Sequence, residues 1–220
     1  MPALQAFELY RFYHSGDDET AALRGVSLEL QAGGLIALTG PSGSGKSTLL
    51  ACLSGLDEPD AGRVEVMGSR MSRRPEAARA AVRARHIGII TQSGNLFEHL
   101  TVEGNMRLQM ALAGKNDPDA IDRLLNVMGI APHRRARPSQ LSGGEGARAG
   151  LAVALSADPQ ILLADEPTAE VDAATEVEIL KLLRDRCRAG GAILVATHSQ
   201  ELAANADSVL RLRDGRLVHA

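Results

Sequence analysis

Three separated segments carry residue types at spacings that could do chemistry on a nucleoside triphosphate. The first is Gly40-Pro41-Ser42-Gly43-Ser44-Gly45-Lys46-Ser47-Thr48, which fits the pattern G-x-x-x-x-G-K-[ST]. In such a loop, glycines let backbone N–H groups curl around phosphate oxygens while the lysine reaches the terminal phosphates. Lys46 is therefore expected to contact the β and γ phosphates, and Ser47 to offer its hydroxyl to Mg²⁺. Gly43 and Gly45 would supply conformations and a close approach that a Cβ hinders. The competing reading is a glycine-rich turn before an ordinary helix. The second segment, Ile161 to Pro167, has four successive apolar residues and then Asp-Glu-Pro. This fits a central parallel strand whose carboxyl end faces the ligand crevice. Asp165 would hold Mg²⁺, directly or through water, and Glu166 would be the general base that polarises the attacking water. Alone, Asp-Glu-Pro could equally be a charged turn. In the third segment, Leu141 to Glu145, Ser142 is a good helix N-cap with Glu145 three residues later, the capping-box pattern.

The elements that must position these residues alternate between strand and helix signals, as in an α/β domain. Val26 to Leu30 alternates apolar and polar, Gly33-Gly34 turns, and Leu35 to Thr39 delivers the glycine-rich loop. The following helix begins at about Lys46, with its amides and dipole directed at the phosphates, and Gly55 stops it. Strands are expected at Val64 to Met67 and Ile87 to Thr91, with a helix over Pro75 to Arg85 between them. From Thr101 to Ser156 the periodicity is helical with breaks at Gly114, Pro118, Pro132 and Pro138, which reads as an inserted helical subdomain. The alternation resumes with Ile161 to Ala164, a helix over Ala173 to Ala189, a strand at Ala192 to Ala196, and closing strands near Val209 to Leu212 and Leu217 to Val218.

Composition narrows the function classes. A chain of 220 residues can bury one sizeable core without disulfides or metal, and Cys52 and Cys187 are too few and too far apart in sequence for either. The net charge is −3 with both signs interspersed, so nucleic acid is not expected as a partner. No apolar stretch approaches the roughly 20 residues needed to cross a bilayer. The amino terminus, interrupted by Glu8 and Arg11, is no signal peptide. Work at a membrane would go through a partner chain.

The Leu-Ser-Gly-Gly segment, about 20 residues before the strand ending in Asp-Glu, resembles the signature of ABC ATPases, and the resemblance covers nearly the whole chain. It implies a single domain, residues 1–220, with a P-loop NTPase core of mostly parallel sheet. An N-terminal antiparallel β subdomain and an inserted α-helical subdomain would complete it. The core would take residues 1–92 and 157–220, and the helical insert 93–156. In this family Ser142, Gly143 and Gly144 would face the γ phosphate held by the P-loop of a second ATPase subunit, so two copies would close around two MgATP. Gln92 looks like the family's Q-loop glutamine, which senses Mg²⁺ or the attacking water. His198 looks like the switch histidine, and Asp172 like the D-loop aspartate, although a lone histidine is more often structural. Tyr13 is the choice for stacking on adenine. Tyr10 and Phe12 compete for that role, and core packing is open for all three.

Two departures stand out. Glu145 replaces the glutamine usual in LSGGQ and is followed by Gly146-Ala147-Arg148, and Ala169, Glu170 and Val171 depart from the commoner D-loop pattern. A carboxylate near nucleotide could weaken binding unless Arg148 or another cation offsets it. Residues Asn95 to Val102 put apolar side chains where related ATPases build a groove for a short helix of the transmembrane subunit. They could instead cover the core of the insert. GPSGSGKSTLL with SGLDEPDAG and Tyr-His-Ser-Gly looks like the lipoprotein-releasing, macrolide-exporting and peptide-resistance ATPases. The implied role is ATP hydrolysis driving an integral membrane permease or mechanotransmission subunit from the cytoplasmic, inner face of the membrane. The alternatives are a soluble regulatory ABC ATPase and a nucleotide-binding module with feeble hydrolysis.

Overall fold

The computed structural model describes residues 2–15, 18–91, 95–169 and 171–218. In chain order the elements are β1 (Pro2–Ser15), β2 (Asp18–Gln31), β3 (Leu35–Thr39), α1 (Lys46–Leu53), β4 (Ala61–Val66), β5 (Ser69–Arg70), α2 (Glu76–His86), β6 (Ile87–Ile90), α3 (Val102–Leu112), α4 (Pro118–Val127), α5 (Gly143–Ser156), β7 (Ile161–Asp165), α6 (Ala173–Arg188), β8 (Ala192–Ala196), α7 (Gln200–Ala204), β9 (Ser208–Arg213) and β10 (Arg216–Val218). Short 3₁₀ turns lie at Ala131–His133 and Pro138–Gln140.

A six-stranded sheet of order β10-β9-β3-β8-β7-β6 forms the centre, parallel throughout except for β10. Its inner strands are buried on both faces, which is why they read as unbroken apolar runs. Along β3, Leu35 and Ala37 face one core and Ile36 and Leu38 the other; β7 divides in the same way, Leu162 and Ala164 against Ile161 and Leu163. The first core is filled by α3, α4, α5 and α6, with Met106, Ile121, Leu151 and Leu183 fully buried. The second is filled by α1 and by an antiparallel sheet of order β2-β1-β4-β5. This is the expected α/β architecture with its N-terminal antiparallel sheet.

Strand β1 is the element the pattern did not disclose, and Val26 to Leu30 is only the end of a 14-residue β2. The buried residues of β1 are Ala3, Leu4, Ala6 and Leu9. Their spacing follows no period of two, because register shifts against β2 fall between Pro2 and Leu4, Ala6 and Leu9, Leu9 and Tyr10, and Arg11 and Phe12, with Glu8 at φ 48°. Bulges hide a strand from any search for alternation. Met67, expected at the end of a strand, is instead a turn residue at φ 49°. The five-residue α7 also carried too little periodicity to be seen.

Strands β6 and β7 are neighbours, Ile87 opposite Ile161, although α3, α4 and α5 lie between them in sequence. Each of these helices starts on a side-chain cap: Thr101 for α3, Asp117 followed by Pro118 for α4, and Ser142 for α5. The helical excursion thus leaves and re-enters through adjacent strands at the edge of the sheet.

Candidate functional site

Between β3 and α1 the chain turns through three glycines at positive φ, Gly40 (153°), Gly43 (76°) and Gly45 (104°). Their requirements differ. A Cβ on Gly40 would stand 2.1 Å from the Leu212 carbonyl oxygen of β9, and one on Gly45 2.4 Å from that of Ala22 on β2. A Cβ on Gly43 would meet no atom within 4 Å. Packing therefore demands Gly40 and Gly45, while at Gly43 only the left-handed backbone does. Lys46 is buried, and its Nζ donates to the carbonyls of Gly40 (2.9 Å) and Pro41 (3.2 Å), bracing the loop from within. Ser42, Gly43, Gly45, Lys46, Ser47 and Thr48 line a cavity of about 650 Å³. Gly40, Pro41 and Ser44 shape the loop without lining that cavity.

Asp165, at the end of β7, reaches the first turn of α1, where Ser47 Oγ donates to Asp165 Oδ2 at 2.6 Å. A hydroxyl and one buried carboxylate suit a small hard cation that keeps waters and takes its remaining ligands from phosphates, as Mg²⁺ does. Among the described residues no cluster of three or more His, Cys, Asp or Glu could make an all-protein metal cage. The residues present therefore fit an ion that arrives with a nucleotide.

Glu166 leaves the strand at φ 51°, a conformation that costs a non-glycine residue on the order of 1–3 kcal/mol. Two contacts with the end of β8 hold it there. Its N–H donates to the Ala196 carbonyl (2.9 Å), and its Oε2 accepts the His198 N–H (3.2 Å). The other oxygen, Oε1, is buried without a hydrogen bond and lies 3.5 Å from His198 Nε2. A buried carboxylate oxygen with free lone pairs is an acceptor awaiting a donor, and water can be that donor. Asp165, Glu166 and His198 all line the 650 Å³ cavity.

They also line a second cavity, of about 820 Å³, whose far side includes Ser142 and Gly143 at the start of α5. Within one chain, Ser142, Gly143 and Gly144 are thus absent from the wall of the loop cavity. Ser142 caps α5: its Oγ accepts from Glu145 N–H (3.4 Å) and Glu145 Oε2 accepts from Ser142 N–H (2.8 Å). Glu145 Oε1 stands 3.1 Å from His133 Nε2. The backbone N–H of Ser142 above all holds the Glu145 carboxyl below its ordinary range, and His133 and Arg148 add to this. Arg148 is not its direct partner, since it donates to Thr175 Oγ1 on α6 (3.3 Å). The contacting group is His133, for which the sequence gives no signal.

Asp172 caps α6, Oδ1 accepting from Thr175 N–H and Oδ2 from the Thr175 hydroxyl, both at 2.9 Å. Tyr13 is largely exposed and lines the loop cavity, which neither Tyr10 nor Phe12 does. Gln92 lies outside the described residues. Phe97 is 53 % exposed and lines a groove of about 270 Å³ with Arg83 and Ala84 of α2 and Leu108 and Leu112 of α3. It is therefore no part of the insert's core, whereas Leu96 packs against that core. Among the described residues no helix is long and apolar enough to cross a membrane.

A family model described as ABC transporter matches residues 23–169. A protein of Thermotoga maritima named as an uncharacterized ABC transporter ATP-binding protein is 40% identical over 217 residues, 97% of this chain and 93% of the relative. The macrolide export ATP-binding/permease protein MacB of Chlorobium luteolum is 40% identical over 220 residues, 99% of this chain. The chain spans only 33% of that relative's length. Among solved structures, the dimeric bacterial ABC transporter cassette MJ0796 superimposes with a TM-score of 0.94 at 28% identity, covering 98% of this chain and 97% of that one. The same cassette in a dimeric post-hydrolysis state bound to ADP and Pi matches equally well.

Proposed function

The chain belongs to the ABC transporter family as an ATP-binding, ATP-hydrolysing unit, and on that premise we propose how its residues divide the work. The phosphate loop takes the triphosphate, with Lys46 exchanging its bonds to the Gly40 and Pro41 carbonyls for the β and γ phosphates. Ser47 and Asp165 hold Mg²⁺, which when bound neutralises charge on the phosphate oxygens. Glu166 accepts a hydrogen bond from the attacking water through Oε1 and takes its proton as the water oxygen bonds to the γ phosphorus. The bond from that phosphorus to the β–γ bridging oxygen breaks, and ADP leaves with phosphate as the other product. His198 lies beside that oxygen and contacts the γ phosphate.

Ser142, Gly143 and Gly144 act on the nucleotide of a second copy, because in their own chain they do not reach the wall of the loop cavity. Two copies then close on two MgATP and reopen after hydrolysis. Asp172 sits at the rim of that contact, and Gln92 carries the state of the site towards the groove at Phe97. The groove takes a short helix of an integral membrane permease or mechanotransmission subunit at the inner face of the membrane, and the work is export or lipoprotein release.

The observation that carries this reading is the single cavity lined by Lys46, Ser47, Asp165, Glu166 and His198. Its test is isolation of the Glu166→Gln protein with MgATP from detergent-solubilised membranes of its host. A stoichiometric integral membrane protein is the expected companion. Recovery only in the soluble fraction, with soluble partners, would replace the transport reading with a regulatory ABC ATPase.

A further inference from the structure

Tyr13 does not stand alone at the mouth of the loop cavity. Its hydroxyl donates to Asp57 Oδ2 at 2.8 Å, and the Arg11 guanidinium lies 4.7 Å from its ring centroid. Arg11 also grips Asp57 with two bonds, Nε to Oδ2 (2.8 Å) and Nη2 to Oδ1 (2.9 Å), and Asp57 Oδ1 accepts from the Glu58 N–H (2.9 Å). Planar, two-point guanidinium–carboxylate pairs fix direction as well as distance. Burial alone would raise the Asp57 pKa, but bonds from Arg11, Tyr13 and the Glu58 backbone outweigh it and keep the carboxylate ionised.

Asp57 follows α1, the helix that begins inside the phosphate loop. Tyr13 belongs to β1, in the other sheet. The lacing between them continues, with Phe12 N–H donating to Asp60 Oδ2 (2.7 Å) and Asp60 N–H to the Tyr10 carbonyl (2.9 Å).

We propose that Arg11 and Asp57 are positioning residues for the nucleotide base: through the Tyr13 hydroxyl they set the aromatic platform at a fixed distance and tilt from the phosphate loop. The inference rests on the reading of the cavity as the ATP site and of Tyr13 as the surface on which adenine stacks. The platform holds the base and leaves the phosphates to the loop. Affinity for ATP therefore depends on Asp57, whereas affinity for inorganic tripolyphosphate, which has no base, does not.

The test is calorimetric titration of the whole protein with MgATP and with magnesium tripolyphosphate. Tyr13→Phe keeps the ring and loses the bond; Asp57→Asn keeps the shape and loses the charge. The expected result is a loss of ATP affinity of roughly five-fold in each variant, or about 1 kcal/mol. Tripolyphosphate affinity should stay as in the wild type, and the double variant should bind ATP no more weakly than the worse single one. Equal losses for both ligands, or additive losses in the double variant, would reduce the network to a fold support and overturn the proposal. Wild-type ATP affinity in both variants would overturn it too. Tyr13→Ala separates the layers. If it weakens ATP binding while the two conservative variants do not, the stacking platform stands and only its positioning fails. If Tyr13→Ala also binds ATP normally, the platform itself is lost.

Discussion

Ser47 and Asp165 are 118 positions apart in sequence and share a 2.6 Å hydrogen bond, closing α1 onto the end of β7. The bond joins a hydroxyl to a carboxylate, the pair proposed above to hold Mg²⁺. Asp165→Asn is expected to remove the Mg²⁺-dependent increment of ATP affinity and to spare Mg²⁺-free binding. Titrations with and without Mg²⁺ decide this, and an increment that survives would take Asp165 out of metal binding.

Glu166→Gln keeps the backbone bond to Ala196 of β8 and removes the proton acceptor. Turnover should fall by roughly 10²- to 10⁴-fold, the range of general base catalysis, while ATP is still bound. A steady-state phosphate assay run beside nucleotide titration gives the answer. Near-normal turnover would remove Glu166 from this role.

Gly40→Ala and Gly43→Ala should fail in different ways. The first drives a methyl into the Leu212 carbonyl and should lower the melting temperature sharply or prevent folding. The second meets no protein atom, so its cost is the left-handed backbone alone, about 1–2 kcal/mol. It should fold and lose ATP affinity. Equal melting temperatures for the two variants would contradict this account.

Glu103, in the first turn of α3, accepts from Arg134 Nε at 2.6 Å and from Arg107 Nη2 at 2.6 Å. Arg134 above all, with Arg107, brings its pKa down from 4.5 to about 2, against a smaller opposing effect of burial. A folded pKa below the unfolded one means that this stabilisation is complete at neutral pH and is lost as pH falls from about 4.5 through about 2. Glu103→Gln should be less stable at pH 7 and should lose less stability over that acid interval. Urea melts across the pH range measure both slopes.

Phe97→Asp should abolish association with the membrane subunit and leave ATP affinity intact, since a side chain 53 % exposed contributes little to the core. Co-purification and nucleotide titration test the two halves. Loss of both would return Phe97 to a structural role.

Much of the central sheet was legible because strands buried on both faces are written as unbroken apolar runs. Ile161 to Ala164 and Ala192 to Ala196 read as strands, and Ser142 reads as a helix start by its capping chemistry, whereas Thr101 and Asp117 are recognised as caps only in the fold. What stayed hidden depends on contacts between residues distant in sequence. The bulged β1 shows no regular alternation, and the Arg11–Asp57 pair and the approach of His133 to Glu145 leave no local pattern. In the sequence Glu145 is a carboxylate that Arg148 or another cation could offset; in the fold its two oxygens engage the Ser142 N–H and His133.

The position of β3 bears on how the protein comes to exist. The strand that carries the phosphate loop pairs on one side with β8, Leu35 opposite Ile193, and on the other with β9, Ile36 opposite Ser208. Both neighbours are more than 150 residues later in sequence. On a ribosome adding about 5–20 residues per second, the strand waits roughly 10 seconds or longer before either edge can be paired. Until then it is an exposed apolar segment with open backbone donors and acceptors, the kind that chaperones retain. The close packing of the loop at Gly40 on the Leu212 carbonyl likewise waits for the last strands of the sheet.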